Sequence, residues 1–204
     1  MKIFNNNDVS EMVNILKNDG ILCVPTDTVY GLCVRINSEE AFNKLVSFKN
    51  RPANKSFPVM CSDIEQIKKV AVVDEVGEKL INSFMPGPIT IVLKKRDDYS
   101  VNNRGTMDIR DVGIRMATSP VLKKVIDELG MPIFMTSANL SGEPVCTSME
   151  EIKEVFPNLD GILEGRVSYG LSSTIVSLVD DVRIIREGPI SSDEIMRVVN
   201  DEKM

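Results

Sequence analysis

The chain of 204 residues contains no histidine and no tryptophan, and only 5% of it is aromatic. The missing imidazole excludes Ser-His-Asp and Cys-His nucleophiles, a histidine general base, and histidine-ligated zinc or haem. A catalyst made of these residues must work by alignment, by fixed charge, or with a metal carried in by its substrate. Long apolar runs are missing too. No window of about 18 residues is uninterruptedly apolar, and the first twelve lack an apolar stretch with a small-residue cleavage site. The expectation is no membrane span, no signal peptide and a cytoplasmic address.

Cysteine is scarce, with Cys23, Cys33, Cys61 and Cys146 and no C-x-x-C pair. Apolar neighbours make the first three core thiols of a reducing compartment, while Cys146 sits in a loop-like stretch. Positive charge is in deficit, 24 Lys+Arg against 30 Asp+Glu. That balance argues against the basic footprint of a dedicated nucleic-acid binder. One local exception is Lys44, Lys49, Arg51 and Lys55, with no acid from Ala41 to Ser62.

Hydrophobic content is 43%, enough to build a core. Helical periodicity covers Asp8 to Asp19, Ser38 to Lys49, Asp63 to Ala71, Asp74 to Met85 and Ser119 to Gly130. Ser148 with Glu151, and Ser191 with Glu194, spell capping boxes for two more helices. Strand-like runs are Ile21–Pro25, Phe57–Cys61, Ile89–Lys94, Val112–Met116, Pro132–Thr136, Thr174–Val179 and Val182–Arg186. Tyr99 to Asp111 reads as a loop or hairpin. Helices and strands interleave without a repeat or linker, which predicts one α/β domain over residues 1–204. Several strand pairs have no helix between them, so the sheet should be mixed.

Polar residues gather where predicted strands end, the usual place for ligands in α/β folds. Pro25-Thr26-Asp27-Thr28-Val29-Tyr30-Gly31-Leu32 follows the first such strand, and is either a turn or a set of ligand hydroxyls. Lys49 and Arg51 close a helix. Cations suit a helix C-terminus, but they also suit a polyphosphate. Thr136-Ser137-Ala138-Asn139-Leu140-Ser141-Gly142 ends another strand, as a polar turn or a close approach to ligand. Arg115, Ser172-Ser173-Thr174 and Arg186-Glu187-Gly188-Pro189 sit at further strand ends. Pro86-Gly87-Pro88 reads as a structural turn.

Taken in order, PTDTVYGL, Lys49-x-Arg51, PGPIT, VGIRM, TSANLSG, SSTIV and IIREGP resemble the YrdC-like threonylcarbamoyl-AMP synthase family, in its short form. The resemblance implies a twisted mixed sheet with flanking helices enclosing a large, partly basic cavity. It implies synthesis of threonylcarbamoyl-AMP and pyrophosphate from ATP, L-threonine and bicarbonate, with Mg²⁺ accompanying ATP. A tRNA threonylcarbamoyl-transferase complex would then use the product. Lys49, Arg51, Ser137 and Asn139 fall on the family's catalytic nucleotide set, and Arg186 on its nucleotide side. Thr26, Arg115 and Ser173 fall on its threonine positions. The resemblance names no metal ligands. Met60 stands where longer relatives often carry histidine near threonine, and Asp111 where some relatives have a hydroxyl. The chain also stops before the C-terminal domain of the longer form. Two alternatives share these motifs: an RNA-binding module using the Lys44–Lys55 patch, and a nucleotide-binding paralogue without this activity.

Overall fold

Helix signals in the sequence act as written. Ser119 accepts the Leu122 N–H, Pro120 occupies the first turn, and Gly130 ends the helix in the left-handed region at φ 77°. The computed structural model containing this helix describes residues 1–51, 57–99 and 110–201. Seven helices are described: α1 (Val9–Lys17), α2 (Glu39–Phe48), α3 (Ile64–Val70), α4 (Glu75–Phe84), α5 (Pro120–Leu129), α6 (Met149–Val155) and α7 (Ser192–Val199). Ser191 and Glu194 form the full capping box of α7. At α6 only half of the expected box exists. Ser148 accepts from the Glu151 N–H, but the Glu151 carboxylate binds the Thr147 N–H at 2.6 Å instead of closing on Ser148.

The strands are β1 (Lys2–Phe4), β2 (Leu22–Pro25), β3 (Tyr30–Arg35), β4 (Val59–Cys61) and β5 (Ile89–Lys94). They continue with β6 (Asp111–Met116), β7 (Ile133–Ser137), β8 (Gly161–Leu163), β9 (Thr174–Ser177) and β10 (Arg183–Arg186). All ten join one sheet in the order β1-β8-β2-β3-β7-β4-β6-β5-β9-β10. It is mixed, as expected. For example, β4 runs parallel to β6 and β5 runs antiparallel to it.

Three strands escape the sequence pattern. β1 and β8 are three residues each, too short for a period to show. β3 is buried along nearly its whole length, so its hydropathy does not alternate. It forms a hairpin with β2, Pro25 pairing Tyr30, which places half of the PTDTVYGL motif in a strand. Most of the predicted 99–111 loop lies outside the described residues, and Asp111 itself belongs to β6.

The sheet has two differently covered faces, and the two-residue period sorts side chains between them. On one, Cys23, Leu32, Val59, Cys61, Ile91, Ile114, Phe134 and Val176 are buried with apolar residues of α2, α3, α4, α6 and α7. On the other, Leu22, Val24, Cys33, Met60, Ile133 and Met135 pack with Met12 and Leu16 of α1 and with Leu122, Val125 and Ile126 of α5. This second cluster stops at β4. Met60 is in register with Arg115, Val92 with Gly113 and Ser177, and Thr90 with Ile175. The same face therefore continues across β6, β5 and β9 as Arg115, Gly113, Thr90, Val92, Ile175 and Ser177. These residues line a cavity of about 480 Å³.

Phe134 anchors the covered face, with its ring edge-on to Phe42 at 5.7 Å and 6.4 Å from Phe57. We expect Phe134→Ala to lower stability by about 3–5 kcal/mol. Urea unfolding should show this as a lower midpoint at unchanged m value.

Candidate functional site

The cavity takes its lining from widely separated segments. Thr26, Thr28, Arg51, Arg115, Ser137, Ser173 and Arg186 all reach it, beside Arg183 and, as one carboxylate among the described residues, Asp111. Of the eight predicted site residues, Lys49 and Asn139 do not line it. They sit directly behind Ser137.

Their position follows from the end of α2. Lys49 caps the helix, and Asn50 then turns left-handed at φ 48°. Lys49 thus points inward and Arg51 toward the cavity. The Lys49 ammonium, 1% exposed, donates to the Ser137 carbonyl at 2.6 Å and to Asn139 Oδ1 at 2.8 Å. Ser137 Oγ donates to the same Asn139 oxygen at 2.6 Å. The Asn139 amide is fixed in turn by the carbonyls of Leu140 and Glu143. Burial, reinforced by the charge of Arg51, pushes the Lys49 pKa down to about 7. Arg51 lies over the Phe57 ring at 4.8 Å.

Arg115 crosses from β6 to the turn after β2. Its Nη2 donates to Asp27 Oδ1 at 2.8 Å, and its Nη1 donates to Thr28 Oγ1 at 3.1 Å. Both partners of this ion pair are largely buried, with side-chain exposures of 10% and 13%. Burial lowers the Arg115 pKa, Asp27 opposes that shift, and nearby Arg186 adds to it. Arg115 Nε and Asp27 Oδ2 are buried without a hydrogen-bond partner. Asp27 was visible in the motif only as one more turn residue, and nothing in the sequence links it to a residue 88 positions away.

Thr26 serves its own turn. Its hydroxyl donates to the Val29 carbonyl at 2.6 Å and accepts the N–H groups of Thr28 and Val29. Ser173 Oγ meets Thr90 Oγ1 at 2.8 Å. Arg186 grips the Ser173 carbonyl through Nε and Nη2 at 3.0 and 2.8 Å. Gly188 fits this packing because an added Cβ would lie 2.4 Å from the Ser172 carbonyl oxygen.

The expected basic patch does not form one surface. Lys44 pairs with Asp160 at 2.8 Å, an acid supplied from far along the chain. Lys49 is buried, Arg51 faces the cavity, and Lys55 lies outside the described residues. Met60 packs in the apolar cluster under α5 rather than lining the cavity, whereas Asp111 does line it. All four cysteines are free and buried, including Cys146. Among the described residues, no group of three or more acids or thiols could hold a metal ion. One lining carboxylate does not build a resident magnesium site. It does suit an ion held mainly by phosphate oxygens and water.

Residues 14–188 match the Sua5/YciO/YrdC family, whose description reads "Telomere recombination". The chain belongs to that family. A Methanocaldococcus jannaschii member, provisionally named a threonylcarbamoyl-AMP synthase, is 36% identical over 88% of this chain and 85% of its own. The Bacillus subtilis threonylcarbamoyl-AMP synthase is 31% identical over 96% of this chain but only 57% of its own. The crystal structure of Pyrococcus abyssi Sua5 complexed with L-threonine superposes with a TM-score of 0.90 at 28% identity. It covers 97% of this chain, which spans 61% of the Sua5 chain. The Sua5/YciO/YrdC fold is thus present from the first strands to the last. No described helix is long and apolar enough to cross a membrane.

Lys49 gives stability a defined pH dependence. Its pKa falls from 10.5 to about 7 on folding, so between these values the unfolded chain holds a proton that the folded chain has lost. Its contribution therefore rises with pH across that window. We expect the stability difference, wild type minus Lys49→Met, to increase from pH 7 to pH 9 in urea titrations.

Proposed function

We propose that this protein is an L-threonylcarbamoyladenylate synthase. It makes threonylcarbamoyl-AMP and pyrophosphate from ATP, L-threonine and bicarbonate, as a nucleotidyltransferase. The observation that carries this reading is the convergence of Thr26, Arg51, Arg115, Ser137, Ser173 and Arg186 on one cavity. The names of the relatives and the L-threonine in a neighbouring structure support it.

The chemistry suits a site without imidazole. The threonine amine adds to bicarbonate, losing water, to give a carbamate that is already an anion at neutral pH. A carbamate oxygen attacks the α-phosphorus of ATP in line, and pyrophosphate leaves. Such a step depends on alignment and on stabilising charge rather than on a protein nucleophile. Arg51 and Arg186 offset phosphate charge, and Lys49 supports them through the Ser137–Asn139 loop. Arg115 pairs with the threonine carboxylate. Ser173 binds the amino acid by its hydroxyl, while Thr26 shapes the turn that carries Asp27 and Thr28. Magnesium accompanying the triphosphate would supply further positive charge against the phosphates, held mainly by nucleotide and water oxygens, with Asp111 the lining carboxylate that could reach it from the protein side. The product passes to a tRNA threonylcarbamoyl-transferase complex, in the cytoplasm, for modification of an adenosine beside the anticodon.

Pyrophosphate release from purified protein, ATP and Mg²⁺ should require threonine and bicarbonate together. Omitting either should stop it, and no release with both present overturns the reading. Lys49→Ala should slow the reaction by about two orders of magnitude or more, because the support that holds Ser137 at the cavity wall, and Asn139 behind it, is lost.

A further inference from the structure

We propose that Asp27 is a positioning residue that reserves Arg115 for a singly charged carboxylate and keeps phosphate out of the amino-acid end of the cavity. The inference rests on the synthase reading and names how the threonine carboxylate and the phosphates of ATP are told apart.

The substrates pose an electrostatic problem. ATP carries several negative charges and threonine carries one carboxylate, and both enter a cavity lined by Arg51, Arg115, Arg183 and Arg186. A guanidinium binds phosphate as readily as carboxylate through its planar fork. Arg186 is near enough for its charge to act on Arg115. Two adjacent guanidinium groups would make a good phosphate site.

Asp27 breaks that symmetry. Its Oδ1 holds Arg115 Nη2 at 2.8 Å and accepts from Thr118 Oγ1 at 3.3 Å. Arg186, by contrast, is gripped through the neutral Ser173 carbonyl, a contact that leaves its charge in place. The Arg115–Asp27 pair is neutral as a unit, so its long-range pull on a polyphosphate is small. It still offers directed N–H donors. Asp27, Thr28 and the Gly87 carbonyl take three of the five Arg115 N–H groups, and Arg115 lines the cavity, where a carboxylate can meet the remainder at short range. Asp27 is itself held in place from the backbone. Its carbonyl accepts the N–H groups of Ser168 and Tyr169, in the loop that leads to Ser173. One residue thereby ties together the turn after β2, the end of β6 and the loop before β9.

The test is calorimetric titration of L-threonine into the full chain without nucleotide, with and without millimolar inorganic phosphate at matched ionic strength. Wild-type affinity should change by less than about twofold on adding phosphate. In Asp27→Asn, which keeps an acceptor for Nη2 but loses the charge, phosphate should weaken threonine binding by about tenfold. Asp27→Glu should restore insensitivity to phosphate, a rescue that a purely architectural role does not predict. If Asp27→Asn does not fold by circular dichroism, Asp27→Ser takes its place. Equal phosphate sensitivity in wild type and the charge-removed variant overturns the assignment while leaving the synthase reading intact. Absence of threonine binding in the wild type overturns both.

Discussion

A buried ammonium group holds one wall of this site together. Lys49 gives up hydration at the end of α2 and is offset by two short hydrogen bonds, to the last residue of β7 and to Asn139 just beyond it. Charge buried this way is costly unless every partner is in place. Asn139 can serve only if its amide is also held, and Ser137 presents its hydroxyl to the cavity only if Asn139 accepts from it. The end of a helix and the end of a strand are thus locked in one geometry. Small errors in either would be felt at the cavity wall, where Ser137 and Arg51 stand.

Arg115, on β6, shows a different economy of charge. This cation is held by a carboxylate from a neighbouring turn, and the pair is nearly sealed from water. The basic cavity is therefore not uniformly basic. Behind its wall stands a lysine whose proton is loosely held, and in the wall stands an arginine whose charge is matched. With no histidine in the chain, the group tuned toward neutrality is Lys49.

Much of this was legible in the sequence. The helix caps at Ser119 and Ser191, and the β-branched run Ile89–Lys94, carry strong local signals and appear in the structure as read. Motif order also brought six of the eight expected residues to one cavity. Other features could not be read. β3 is buried on both faces and shows no alternation. Lys44 finds its acid in Asp160, and Arg115 finds Asp27, across separations that no local pattern encodes. The sequence left Lys49 open between a helix-end cation and a direct phosphate ligand, and it is neither at the surface nor in the cavity wall. Only the left-handed turn at Asn50 and the loop after β7 make it internal.

The alternation across β5 has a consequence for how the protein can change over time. Ile89, Ile91 and Leu93 belong to the packed layer, while Thr90 and Val92 face the cavity. Neighbouring codons therefore answer to different selective pressures, one for folding and the next for chemistry. New substrate preferences can be reached at every second position without disturbing the layer beneath. A slip of one residue in the pairing of β5 with β6 would exchange the two sets at once, so pairing register is the one property of this strand that cannot drift.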